Sequence, residues 1–260
     1  MKKHLLLVLG AIIAPAITFA DNTADSLDEN VAFYCSFDGS VEPDQARGSD
    51  KIIVGNFDKN RFSYIDGVNG KAALGGDNVQ SLRFKIKENV DFAAPGSAVM
   101  LFNPVDWQVQ TPDTPTQGKT KWKKTYAAGF FSTSYHPKGY IVLQRTSSHV
   151  PGNMNDVIML VFPCFTDIKK SNVNREVKLD KNTWHQLAMT WDGLNYIVYM
   201  DAKEILRTSV PYKLTADKLH QDFVLSQAKG LAYDEFTIYD KQLSAEEITS
   251  LYNKFKKSAK

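Results

Sequence analysis

Residues 184–201 read WHQLAMTWDGLNYIVYMD, and their periodicity decides the fold class. His185, Leu187, Met189 and Trp191 alternate with Trp184, Gln186, Ala188 and Thr190. Successive side chains on a strand point to opposite faces, so this is the period-two signature of a strand with one apolar side. Asp192-Gly193 follows and a second apolar run begins at Tyr196, which predicts a hairpin.

Working outward, short runs of the same type recur between clusters of Gly, Asn, Asp and Pro. They predict strands over 31–37, 80–87, 97–103, 126–132, 139–145, 156–163, 195–201, 204–209, 222–226 and 231–239, besides 184–191. No long amphipathic helix separates them, which excludes a parallel βαβ sheet and favours an antiparallel sandwich. One helix is expected, after Ser244-Ala245-Glu246-Glu247. Ser244 and Glu247 form a capping box, and Ile248, Leu251, Tyr252 and Phe255 then repeat on one face. Lys254, Lys256, Lys257 and Lys260 suit the negative end of that helix's dipole.

At the other end, Lys2, Lys3 and His4 precede an apolar stretch, Leu5 to Ile17, and Thr18-Phe19-Ala20 offers a signal-peptidase site. The stretch is too short for a permanent membrane span. Residues 1–20 are therefore expected to be a signal peptide with Asp21 as the first mature residue, making the protein secreted or periplasmic. Residues 21–30 are polar and acidic, a flexible N-terminus, and 31–260 form one domain. The two cysteines, Cys35 and Cys164, lie in apolar segments. An oxidising compartment allows them to pair, while their surroundings equally suit two buried thiols.

Of 260 residues, 43% are hydrophobic and 23% charged, a balance that fills a core. The formal charge of +2 is no more than Lys2 and Lys3, so the rest of the chain is neutral. A neutral chain has no net field to draw in nucleic acid. Residues 106–125 carry Pro112, Pro115, Gly118 and four lysines with little periodicity, a stretch of the kind that often carries function. Motif searches for catalysis find no G-x-S-x-G, H-E-x-x-H or P-loop. The paired strand carboxylates of a laminarinase-type glycosidase are missing too, and Asp234-Glu235, being adjacent, are expected on opposite faces. The five histidines show no metal-ligand spacing, and His185 reads as a structural, hydrogen-bonding residue.

Four segments share a resemblance. WHQLAMTWDGLNYIVYMD, the closing GLAYDEFTIYDKQLSAEEITSLY at 230–252, the opening VAFYCSFDGS and GVNGKAALGGD at 67–77 are similar, in that family's order, to the laminin-G-like branch of the concanavalin A-like lectin/glucanase superfamily. The resemblance departs at 201–204, where Asp-Ala-Lys-Glu replaces an Asp-Gly turn, and across 104–176. It implies an all-β jelly-roll sandwich of two curved antiparallel sheets with one short C-terminal helix. It also implies that Asp38 and Asp234 approach each other, where calcium is the ion their oxygens suit, unless both merely pin turns.

The expected function is non-catalytic carbohydrate binding. Sugar rings stack on exposed aromatics beside polar groups, which selects Trp107, Trp122, Tyr126, Tyr135 and His136. Trp184 and Trp191, inside the motif, are expected in the core. The alternatives are a protein-binding adhesion or assembly module that recognises a cell-surface protein, and a polysaccharide hydrolase or lyase.

Overall fold

The computed structural model describes residues 29–53, 62–75, 81–105, 128–134, 136, 139–147, 156–162, 172–225 and 230–258. Its strands are β1 (Val31–Cys35), β2 (Gln45–Ala46), β3 (Phe62–Asp66), β4 (Lys71–Gly75), β5 (Leu82–Lys85), β6 (Gly96–Pro104), β7 (Ala128–Thr133) and β8 (Val142–Ser147). They continue as β9 (Asp156–Val161), β10 (Asn172–Val177), β11 (His185–Trp191), β12 (Asn195–Met200), β13 (Lys203–Ser209), β14 (Asp222–Leu225) and β15 (Leu231–Tyr239), before helix α1 (Ala245–Ser258). The expected span of residues 1–20 and most of 21–30 lie outside the described residues, as does Cys164.

Among the described residues the strands form two antiparallel sheets. One has nine strands, in the order β13-β12-β11-β6-β15-β1-β2 with β4 also on β15 and β3 on β4; the other runs β10-β9-β8-β7-β14-β5. This is the jelly-roll sandwich that the sequence predicts. The inner faces meet through aromatic rings: Phe33 of the large sheet lies 4.9 Å from Phe84 and 5.1 Å from Phe223 of the small one. Phe92 packs 5.0 Å from Trp191, whose Nε1 donates to the Asp91 carbonyl at 2.9 Å. Trp191 is fully buried, as expected, whereas Trp184 sits half-buried just before β11 rather than in the core.

The alternation of β11 holds, with Leu187, Met189 and Trp191 facing the inner core. Its other face is buried as well, because α1 lies over the outside of the large sheet. Ile248, fully buried, joins Leu243, Val31, Val99, Ala188, Ile197, Tyr199 and Tyr239 in a second apolar cluster, with Tyr34 and Leu251 at its margin. The capping box forms in both directions: Glu247 N donates to Ser244 Oγ at 3.2 Å and Ser244 N to Glu247 Oε2 at 2.8 Å. Ser97 clamps the approach to the helix by accepting from Leu243 N at 2.8 Å and donating to the Lys241 carbonyl at 2.7 Å.

Two hairpins show how turns are set. Asp192 Oδ1 accepts from Leu194 N and Asn195 N at 2.8 and 2.7 Å, while Gly193 takes a φ of 97°, closing β11 to β12. Between β12 and β13 the two-residue loop Asp201-Ala202 has φ of 50° and 62°, the left-handed pair of a type I′ turn. No glycine is needed because Asp201 anchors the turn to β11: its carboxylate accepts from Gln186 N at 2.9 Å and lies 2.8 Å from His185 Nδ1. His185 is thus structural, as read from the sequence. Cys35 is a buried free thiol with Sγ 3.5 Å from the Glu42 carbonyl, and burial pushes its pKa well up.

Candidate functional site

The two sheets differ in what covers their outer faces. On the six-stranded sheet, Phe84, Phe223, Phe131, Leu143 and Leu160 point into the core, so their strand neighbours point outward. Cross-strand pairing lines these up in rows, Arg83–Val224–Ser132–Val142–Val161 and Gln144–Met159–Asn174. Val224 and Ser132 are buried, Val142, Val161, Gln144 and Met159 half-buried, and Arg83 and Asn174 exposed. This face mixes amide, hydroxyl, cation and aliphatic groups, and the described part of the helical layer lies on the other sheet.

At the β5 end the face carries a polar cluster. Asp222, on β14 opposite Lys85, has a side chain only 6% exposed and accepts from Lys85 Nζ at 3.0 Å. His220 Nδ1 lies 3.4 Å from Asp222 Oδ2, without a hydrogen bond but within reach of an ion pair when the ring is protonated. Ser134 N donates to the Asp222 carbonyl at 3.1 Å, leaving the Ser134 hydroxyl buried without a partner. Beside the cluster opens a cavity of about 860 Å³, walled by Ile86, Phe92 and Leu219 and rimmed by Lys85, Lys87 and His220. Asn89 holds its wall in place, accepting from Gly48 N at 2.8 Å and donating to the Ser49 and Lys85 carbonyls at 2.9 and 3.1 Å.

A second polar cluster lies on the large sheet. Along β15 the pairing with β6 gains one residue between Asp234 and Thr237, and Glu235 there has a φ of 53°. This is a β-bulge, and it corrects the expectation that the two carboxylates face opposite ways. Both reach the turn before β4: Asp234 Oδ2 accepts from Val68 N at 2.7 Å and Asn69 N at 3.3 Å, while Asn69 Nδ2 donates to Glu235 Oε1 at 3.3 Å. Tyr34 OH donates to Glu235 Oε2 at 2.9 Å. Asp38 holds the same turn by accepting from Lys71 N, and Gly70, at φ 70°, is where a Cβ would collide with the Asp38 carboxylate. Asp38 and Asp234 thus both hold the turn before β4 through its backbone amides.

Burial pushes the Asp234 pKa up to about 7, helped by the charges of Glu235 and Asp38 and opposed by the two amides. Burial also raises Glu235, against hydrogen bonds from Tyr34 and Asn69. Asp234 Oδ1 is buried without a partner. Among the described residues no group of three or more His, Cys, Asp or Glu is gathered to hold a metal ion.

Of the predicted ligand residues, Trp107, Trp122, Tyr126 and Tyr135 lie outside the described residues. His136 is described, half-buried between β7 and β8, where its carbonyl accepts from Gly139 N at 3.0 Å. Sequence reasoning missed Lys85, Asp222, Ser134 and His220. They come from separate segments that only the β5–β14–β7 register brings together. Among the described residues no helix is long and apolar enough to cross a membrane.

Residues 137–249 match the sequence model of a laminin-G family described as the concanavalin A-like lectin/glucanases superfamily. No curated protein sequence matches significantly. Among solved structures, domain 4 of AbnA, an extracellular GH43 arabinanase from Geobacillus stearothermophilus, in complex with arabinotriose, is 18% identical with a TM-score of 0.53. That match covers 86% of this chain and 98% of that one. The binding domain of Paraclostridial Mosquitocidal Protein 1 is 14% identical, with a TM-score of 0.56 over 88% of this chain and 53% of that one. The binding domain of botulinum neurotoxin DC, in complex with rat synaptotagmin II, is 12% identical, with a TM-score of 0.58 over 88% and 52%. At these identities the likeness is one of fold. The match to the family model thus covers 137–249, and the two antiparallel sheets and C-terminal helix share the jelly-roll sandwich fold of these solved domains.

Proposed function

We propose that this is an exported, non-catalytic domain that binds glycan through the outer face of its six-stranded sheet. The observation that carries the reading is the contrast in cover: α1 packs over an apolar patch of the large sheet, leaving a cavity of about 1160 Å³ between itself and β1. No described helix lies over the small sheet, which presents half-buried amides and aliphatics beside the cavity walled by Ile86, Phe92 and Leu219. Cavities of this size with mostly apolar walls and a few fixed polar groups are usual for small-ligand sites. The arabinanase domain, solved with arabinotriose, supports the same reading. Trp107, Trp122, Tyr126, Tyr135 and His136 are its proposed stacking residues. Titration calorimetry with a panel of neutral and acidic trisaccharides, arabinotriose included, tests it. Trp122→Ala is expected to weaken binding while leaving the melting temperature in place.

Protein recognition is the second reading, favoured by the toxin domain solved with synaptotagmin II. A panel without a single saccharide ligand, followed by capture of a cell-surface protein, would establish it instead. Export is tested by mass spectrometry of secreted protein, expected to begin at Asp21. Calcium at Asp38 and Asp234 enters as a structural ion, supported by the unpartnered Asp234 Oδ1, a hard oxygen of the kind calcium takes. Added calcium would then raise the melting temperature without being needed for sugar contact.

A further inference from the structure

The β5 end of the small sheet's outer face is richer in donors than in acceptors. Arg83 and Lys85 are two residues apart on β5 and so share that face, the former exposed. Arg83 has no ion-pair partner among the described residues. The acidic side chain opposite them, Asp222, is buried and committed to Lys85. His220 Nδ1 and Ser134 Oγ, both close to Asp222 in the register, are buried polar atoms without hydrogen-bond partners. A buried polar atom left unmatched costs free energy that a ligand atom or water can recover.

Two carboxylates rim the neighbouring cavity, and both are turned to local tasks. Asp91 Oδ1 accepts from Ala93 N at 2.8 Å, and Glu88, beyond the end of β5, lies 3.7 Å from Lys87 Nζ. Arg47, also on the rim, is held by Asp240 and the Glu29 carbonyl. The groups that can meet a ligand are therefore Arg83 and the Ser134 hydroxyl, with Lys85 and His220 through the donors that Asp222 does not engage.

We propose that Arg83, Lys85 and His220, with Ser134, form a clamp for the anionic group of an acidic saccharide, a carboxylate or a sulfate. Asp222 acts as a positioning residue that fixes Lys85 and faces the His220 ring. An anionic oxygen would accept from the guanidinium and the ammonium together, the stronger class of hydrogen bond. The sugar ring would extend over the neighbouring cavity, against Ile86, Phe92 and Leu219. This inference rests on the glycan-binding reading and adds the charge of the ligand to it.

The test is titration of the full chain with three probes: a galacturonic acid trisaccharide, the neutral trisaccharide made by reducing its carboxyls, and a sulfated galactose trisaccharide. The clamp predicts that at least one acidic probe binds about tenfold tighter than the neutral one. It also predicts that Arg83→Gln and His220→Gln each remove most of that preference and that added salt weakens the acidic probe alone. Because Lys85→Gln strands a buried carboxylate, the paired Lys85→Gln/Asp222→Asn variant is the one to use at that position, and it too should lose the preference. Which acidic probe wins distinguishes carboxylate from sulfate. Equal affinity for neutral and acidic probes overturns the clamp, as does a preference that survives Arg83→Gln and His220→Gln. A protein that binds only neutral sugars overturns the clamp alone. One that binds no saccharide of any panel overturns the glycan reading and the clamp with it.

Discussion

The outer faces of the two sheets are built from similar strands and meet opposite fates. On the large sheet, Val31, Val99, Ala188, Ile197, Tyr199 and Tyr239 are apolar and lie under α1. On the small sheet the outward positions mix Arg83, Lys85, Gln144 and Asn174 with Val142, Met159, Val161 and Val224. Inner positions are apolar in both. The outer-facing residues thus decide whether a sheet is a layer of the core or a surface that meets other molecules.

The most severe way to break this comparison is to end the chain after Ser244. Uncovering the patch beneath α1 should cost on the order of 5 kcal/mol, from ~1.5–3 kcal/mol per buried large side chain. Urea unfolding measures it, and an unchanged midpoint would show that the helix is not a core layer. A finer version compares single sites. Ile248→Ala should cost about 2–4 kcal/mol and Val161→Ala, half-buried on the other sheet, under about 1 kcal/mol. Similar losses at the two sites would erase the distinction.

A smaller effect comes from the carboxylates beside the covered face. The folded-state pKa of Asp234 is raised, so the folded protein holds a proton that the unfolded chain releases near pH 4. Stability should therefore fall as pH rises from about 4 to about 7 and level off above. Between pH 5.5 and 8 this is worth about 2 kcal/mol. Asp234→Asn should flatten the profile, and bound calcium should flatten it too by favouring the carboxylate. Thermal melts across that range, with and without calcium, decide it. The smallest expected effect is on the open face: Arg83→Gln should shift stability by less than about 0.5 kcal/mol. A large loss there would mean that the exposed face is structural after all.

Much of the architecture was legible from local pattern. The β11 alternation, the Asp192-Gly193 hairpin and the Ser244–Glu247 box each rest on neighbours in sequence, and all three form. Strand β10 escaped notice because NVNREV is an edge strand whose outward residues are polar, so it lacks an apolar alternation. Strand β3, FSYID, is similarly half-exposed along its length. The bulge at Glu235 was invisible for another reason. Whether adjacent residues share a face depends on where β15 gains a residue against β6, which is a property of two strands. The Lys85–Asp222 pair spans 137 residues and depends on register in the same way. The predicted aromatic contacts, apart from His136, fall outside the described residues.

The seating of β1 has a consequence for how the protein comes into being. The first strand lies between β2 and β15, and the Tyr34–Glu235 hydrogen bond joins residues 201 positions apart. A chain synthesised or threaded through a pore from its N-terminus presents β1 long before its principal partner emerges. Until β15 arrives, one edge of β1 stays unpaired, and the loop to be closed is nearly the whole domain. Contacts of such long sequence separation slow folding and leave an edge open to mispairing. Pairing of β1 with its principal partner is thereby deferred until nearly all of the chain is available, whatever the order in which the other strands meet.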